Sequence, residues 1–157
     1  VLLQSISQVG STTLDLRHAT RSAPSVLQAL GQAVVDCAHR VPHGMVLFVP
    51  SYSYEQVLVQ SWQRIKWKNS SESIWDRLNR IKPIFREPKQ RTQLEEALSQ
   101  FSSKAKQTRR GALLIAVVGG KLSEGINFAN DLCRGVLIAG LPYADKSDPI
   151  LQEKLRQ

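Results

Sequence analysis

Seven apolar residues in a row, Ala112-Leu-Leu-Ile-Ala-Val-Val118, stand between Gly111 and the pair Gly119-Gly120. A run this short and unbroken leaves no polar side for water, so it suits a strand covered on both faces. It falls far below the roughly 18–20 residues that a membrane helix needs. Met45-Val-Leu-Phe-Val49 and Gly135-Val-Leu-Ile-Ala139 are shorter runs of the same kind and predict two more such strands. Between the runs lie stripes at helical spacing: Leu27, Leu30, Val34 and Cys37; then Tyr54, Val57, Leu58, Trp62 and Ile65; then Leu94, Leu98, Phe101 and Ala105. Pro24 suits the first turn of the first helix, and Pro42-His-Gly44 closes it. Ser51 or Ser53 can cap the second. Thr12-Thr-Leu-Asp-Leu16 alternates as a half-buried strand does. A short helix is expected around Trp75 and Leu78, followed by an edge strand, Lys82-Pro-Ile-Phe-Arg86, because Pro83 cannot donate to a central ladder.

Apolar strands alternating with helices of about a dozen residues imply an α/β fold, a mostly parallel sheet flanked by helices. Ligands of such sheets bind beyond the carboxyl ends of the strands. That rule points to Pro50-Ser-Tyr-Ser53 and to Gly119–Phe128, the latter expected to turn the chain between its two deepest strands. A last helix opened by Asp148-Pro149 has barely begun at Gln157, so the domain is expected to be C-terminally incomplete, a piece of something longer.

With 157 residues, 42% of them hydrophobic and 22% charged, one globular domain is expected rather than a disordered or fibrous chain. Cys37 and Cys133 are too few for a disulfide framework, and no charged, apolar and small-residue start stands at Val1. A reduced, intracellular setting is therefore expected. The net charge is +8, and residues 62–91 hold nine basic groups against Glu72, Asp76 and Glu87. A localised basic surface attracts polyanions. A solvated, lysine-rich loop is the equally weighted alternative.

The chain has no G-x-x-x-x-G-K-[ST], since Gly119-Gly-Lys121 runs on into Leu122, and no G-x-G-x-x-G or G-x-S-x-G. Self-sufficient catalysis is not expected. Cys37, His39 and His43 stand close in sequence, but Pro42 interrupts any shared helical face, and a plain helix end is the simpler reading. In the loop after the strongest strand, Gly119 and Gly120 permit close backbone approach or positive φ. Lys121 and Ser123 suit a phosphate diester. Glu124 and Asn127 flank Gly125 and suit a sugar hydroxyl or a catalytic partner. A turn with merely solvated side chains remains the other reading of the same residues.

Ala116-Val-Val-Gly-Gly-Lys-Leu-Ser-Glu-Gly-Ile-Asn-Phe128 resembles motif V of the iron–sulfur superfamily-two DNA helicases of the XPD, DinG and FANCJ kind. Met45-Val-Leu-Phe-Val-Pro-Ser-Tyr-Ser-Tyr54 resembles their motif IV, and Ile84-Phe-Arg-Glu-Pro88 their short strand before the next helix. Val136-Leu-Ile-Ala-Gly-Leu-Pro-Tyr143 and Leu151-Gln-Glu-Lys154 follow in register. The Gly119-Gly-Lys and Glu124-Gly-Ile-Asn127 variants are similar to the chromosome-loss branch, DEAD/H-box helicase eleven.

The resemblance implies that residues 1–157 are a partial second RecA-like motor domain, a three-layer α/β unit with a basic insertion at about 66–88. It implies ATP-driven 5′-to-3′ translocation on single-stranded or forked DNA, in the nucleus. The partners would be a first RecA-like domain of the same chain and replication or cohesion proteins, with no membrane. ATP and Mg²⁺ would be held mainly by the missing first domain, which would also carry a 4Fe–4S cluster absent from this segment. Motif VI would lie past Gln157, leaving the fragment inactive alone, with no catalytic residue and no metal site of its own. By the same match, Ser51, Lys121 and Ser123 would grip the DNA backbone, while Glu124, Gly125 and Asn127 would sense nucleotide across the cleft. Asn127 stands where the family usually has Asp. Tyr52, Tyr54, Trp67 and Trp75 are candidates for stacking on bases, whereas Trp62 falls on an apolar stripe. Without the resemblance, a stand-alone basic α/β module that binds nucleic acid or a partner, with no ATPase activity, fits the residues as well.

Overall fold

A computed structural model describes residues 3–122 and 128–140 of the chain. The first ordered piece is a hairpin, β1 (Gln8–Val9) against β2 (Thr12–Thr13), turning at Gly10. The five-residue strand expected at Thr12–Leu16 is thus cut to two residues. Beyond Thr13 the chain closes on itself instead: Asp15 accepts from the Arg17 guanidinium, with Nε at 2.8 Å, and from the Arg17 backbone N–H. Leu14 and Leu16 still pack against the main core, which is what the alternation was reporting.

The main body runs α1 (Pro24–Arg40), β3 (Gly44–Val49), α2 (Tyr52–Arg64), α3 (Ile74–Ile81), β4 (Ile84–Arg86), α4 (Leu94–Gln107), β5 (Ala112–Val117) and β6 (Gly135–Ile138). The strands form one sheet in the order β4-β5-β3-β6, every pair parallel. Residues Lys66–Pro88 contribute α3 and β4, so this stretch supplies an edge of the sheet itself. Alternate residues of the central strands face opposite layers. Met45, Leu47, Val49, Leu113, Ile115 and Val117 share a buried cluster with α1, α2 and α3. Val46, Ala112, Leu114 and Ala116 share another with Phe101 and Ala105 of α4. A helix layer on each face is what an unbroken apolar strand requires, since neither face can be left wet.

β3 and β5 are the deep pair, side by side in register from Gly44↔Ala112 to Val49↔Val117. The expectation that Gly119–Phe128 turns the chain between its two deepest strands is therefore corrected. β6 lies on the far side of β3, so the link from β5 is a crossover past β3. As an edge strand β6 leaves Val136 and Ile138 more than half exposed. Gly111 holds φ +68°, with the space for a Cβ already filled by the His43 backbone. A glycine is needed where the entries to β3 and β5 press together.

Candidate nucleic-acid interface

Because all four strands are parallel, their carboxyl ends meet at one rim. Val118 N–H donates to Val49 O at 2.9 Å, bringing the exits of β3 and β5 together. Pro50-Ser-Tyr-Ser53 and Gly119-Gly-Lys121 leave from these exits, and Ala139-Gly140 leaves β6 beside them.

Ser51 is the N-cap of α2: its Oγ accepts from Tyr54 N–H at 3.1 Å, and its backbone is extended. A cap of this kind is worth about 1 kcal/mol. The same Oγ lies 3.1 Å from Ser53 Oγ, so two hydroxyls stand together where the positive end of a 13-residue helix meets solvent. Backbone N–H groups and hydroxyls at such an end are suited to an anionic oxygen. Gly119 is exposed with φ +69°, and a Cβ there would meet nothing within 4 Å. Lys121 is exposed and its Nζ donates to Lys89 O at 2.8 Å. Leu122 beside it is buried in the α4-side core, anchoring the loop after β5. Of the residues expected to touch DNA, Ser51 and Lys121 are thus placed on neighbouring loops of one rim. Ser123, Glu124, Gly125 and Asn127 lie outside the described residues.

Two carboxylates that sequence reasoning passed over organise this rim. Glu55, in the first turn of α2, receives the Arg86 guanidinium through Nε at 2.5 Å and Nη2 at 2.9 Å. The pair raises the Arg86 pKa further. Next along, the Glu87 carboxylate accepts from Tyr52 O–H at 2.9 Å, Val117 N–H at 2.7 Å and Leu122 N–H at 3.4 Å. Burial first, and Glu87 second, push the Tyr52 hydroxyl up to about 12. The sequence carries one signal of it, a glutamate directly before Pro88 at the end of the expected edge strand.

The aromatic expectations need correcting. Trp67 is buried, with the Arg77 guanidinium 4.7 Å from its ring centroid and Lys68 Nζ at 5.0 Å. Tyr54 is buried and donates its hydroxyl to Arg21 O at 3.1 Å. Neither offers a free face to a base. Trp62, placed on an apolar stripe, is fully buried and donates Nε1–H to Leu27 O. Trp75 is half-buried against the same core. Much of the basic charge of residues 62–91 is also paired within the chain or buried. Arg77 and Arg80 pair with Glu72, Arg86 pairs with Glu55, and Lys82 is buried.

Among the described residues no metal or cluster site is assembled. Cys37 and Cys133 are free thiols, both with pKa values raised by burial, and two thiolates cannot supply a four-cysteine cluster. Among the described residues no three His, Cys, Asp or Glu side chains are grouped to hold a metal ion, and the rim carboxylates Glu55 and Glu87 are engaged by other donors. No helix among the described residues is long and apolar enough to cross a membrane.

An all-parallel sheet, helices on both faces and loops gathered at the carboxyl rim define a RecA-like α/β domain of the kind that binds its ligands beyond the strand ends. The chain belongs to the helicase C-terminal domain family, whose model matches residues 34–157. It is 41% identical over 138 residues to the ATP-dependent DNA helicase CHL1 of Candida albicans, a match covering 88% of this chain. It is 38% identical over 148 residues, 90% of this chain, to the ATP-dependent DNA helicase DDX11 of Danio rerio. With the chl1 helicase of Aspergillus niger it shares 34% identity over 94% of its length. The chain spans 16–17% of the length of these curated relatives. The likeness to the chromosome-loss branch is therefore upheld.

Proposed function

We propose that this chain is the second motor domain of an ATP-dependent 5′-to-3′ DNA helicase, acting in the nucleus as part of a longer protein. The observation that carries the reading is the juxtaposition of the Pro50–Ser53 and Gly119–Lys121 loops at one rim of a helicase C-terminal domain. Ser51, at the start of α2, meets a backbone phosphate of single-stranded DNA with its hydroxyl and the helix end behind it. Lys121 leaves the Lys89 carbonyl and adds an ammonium to an adjacent phosphate, with Ser123 continuing the contact. Exposure of Gly119 and Lys121 and the open space around Gly119 support an approach by the DNA backbone. Glu124, Gly125 and Asn127 sense the nucleotide in a cleft formed with the first motor domain; this assignment rests on the motif resemblance alone. ATP, held mainly by that first domain, supplies the free energy of translocation. The segment hydrolyses nothing by itself, and cohesion or replication proteins dock on the longer protein.

Binding of a fluorescein-labelled oligothymidylate to the chain, followed by anisotropy between about 50 and 200 mM salt, tests the reading. Weak affinity is expected, with log K falling linearly in log salt at a slope of about −0.7 per phosphate contacted. Lys121→Ala weakens binding and flattens the slope by about one such increment, and Ser51→Ala weakens it without changing the slope. An affinity indifferent to salt and to both substitutions overturns the DNA role of these loops.

A further inference from the structure

Glu87 sits where two ladders of contacts cross. Along β4 and β5 the register is constant from Ile84↔Leu113 to Arg86↔Ile115, with Leu113 N–H donating to Pro83 O at one end and Glu87 N–H donating to Ile115 O at the other. One step further the same register sets Val117 N–H towards the main-chain carbonyl position of Glu87. There it meets the Glu87 side chain, at 2.7 Å from Oε2, in place of a main-chain carbonyl. The strand has ended, since Val117 O is taken by Gly120 N–H in the turn that follows, and the carboxylate completes the last rung. Its other oxygen turns outward, accepting from Tyr52 O–H at 2.9 Å and Leu122 N–H at 3.4 Å.

The consequences reach both rim loops. Tyr52 is the first residue of α2, next to Ser51; Leu122 follows Lys121; Val117 precedes the Val118-Gly119-Gly120 turn. One buried carboxylate, whose neighbour Arg86 clamps Glu55 three residues beyond Tyr52, thus holds the exit of β5 and the start of α2 together. Charge-assisted bonds of this kind are short and strong, and within a buried setting they fix geometry. Gly120 lies against the same group: a Cβ there would come to 2.6 Å from Glu87 Oε1, so the turn is fitted to the carboxylate.

We propose that Glu87 is a positioning residue that ties the loop after β3 to the loop after β5, so that Ser51 and Lys121 address a DNA backbone as one unit. The DNA part of this proposal rests on the function proposed above; the tie itself does not. Three forms of the chain separate them: wild type, Tyr52→Phe and Glu87→Gln, each followed by amide hydrogen exchange without DNA and by oligothymidylate anisotropy. Tyr52→Phe removes one hydroxyl from α2 and touches no atom of β5. If Glu87 joins the loops, this substitution speeds exchange at Val117 and Leu122 by about threefold or more, since their acceptor is loosened. Glu87→Gln does the same there and also speeds exchange at residues 52–54. Glu72→Gln, which loosens Arg77 and Arg80 elsewhere, serves as the control for general destabilisation and leaves both segments unchanged.

If Tyr52→Phe leaves Val117 and Leu122 as protected as in wild type, Glu87 merely caps β5 and the tie is overturned, whatever the DNA measurement gives. If exchange responds but wild type fails to bind the oligonucleotide, the tie stands and the DNA reading falls. If wild type binds, Lys121→Ala weakens it, and the two tie variants weaken it by about threefold while Glu72→Gln does not, the full proposal holds. Unchanged affinity in both tie variants, with exchange altered, overturns the positioning role.

Discussion

Arg86 holds Glu55 through two parallel hydrogen bonds across the seam between the end of β4 and the first turn of α2. The two partners are unequally wet: the Glu55 side chain is 8% exposed and the Arg86 side chain 43%. A geometry of this kind makes the cost of breaking the pair depend on which partner is removed, because only one of them is stranded away from water.

Arg86→Met is expected to cost about 2–4 kcal/mol, since it leaves a buried carboxylate with no cation. Glu55→Gln is expected to cost nearer 1 kcal/mol, because the amide still accepts one bond and Arg86 turns to solvent. Urea unfolding of the two variants measures the difference. Equal costs, or a larger cost for Glu55→Gln, would show that the pair is solvated like an ordinary surface bridge.

Trp67, packed between Arg77 and Lys68, belongs to the core where α2 and α3 meet. Its emission, with that of the fully buried Trp62, is expected to be blue-shifted and poorly quenched by acrylamide. Saturating oligothymidylate is expected to leave this emission unquenched, because neither ring has a face for a base. Trp67→Ala is expected to destabilise the chain by about 3–5 kcal/mol, read by urea unfolding. Strong quenching of the buried component on DNA binding would restore the stacking role.

Sequence patterning located nearly every element of the sheet because its signal, which residues avoid water, is local. Val46 and Leu47 face opposite layers yet are equally dry, so the run from Met45 to Val49 reads as covered on both sides. The cap at Ser51 was legible for the same reason, as its partner is three residues away. What escaped was decided by pairings across long separations. Glu87 reaches Tyr52 and Val117 over 35 and 30 positions, and Arg86 reaches Glu55 over 31. Charge counting therefore assigned Arg77, Arg80 and Arg86 to an outer basic surface, when each is paired with a carboxylate of the chain itself. Trp67 was misplaced likewise: its polar sequence neighbours hid a burial produced by α3 folding back on α2.

The glycines flanking β5 make a matched pair of tests. Gly111 and Gly119 share nearly the same φ, +68° and +69°, so alanine brings the same backbone strain, about 1–2 kcal/mol, to each. Their surroundings differ. Nothing lies within 4 Å of a Cβ at Gly119, whereas one at Gly111 would overlap the His43 backbone at 1.9 Å. Gly119→Ala is expected to fold with only that strain as its cost, and Gly111→Ala to lose several-fold more or fail to fold. Urea midpoints decide, and similar midpoints would mean that the β3 and β5 entries separate easily.

Lys82 does at the amino ends of the strands what Glu87 does at their carboxyl ends. It precedes β4, is 1% exposed, and donates Nζ protons to His43 O at 2.8 Å and Arg110 O at 2.6 Å, joining the entries to β3 and β5. Burial lowers its pKa from 10.5 to about 8. Between those two values the unfolded chain binds the proton more tightly than the folded one, so stability rises with pH across that window. Below about pH 8 both states are protonated, and the cost of burying the ammonium is felt in full. Tyr52 and Tyr54 act in the opposite sense: burial raises both hydroxyls to about 12, so their contribution is present below pH 10 and is lost as pH climbs towards 12. Thermal melts are therefore expected to show Tm rising from about pH 8 and turning down above about pH 10. In Lys82→Met the rising limb disappears while the fall above pH 10 remains. A Tm that rises identically in wild type and Lys82→Met would show that the Lys82 ammonium is as well solvated folded as unfolded.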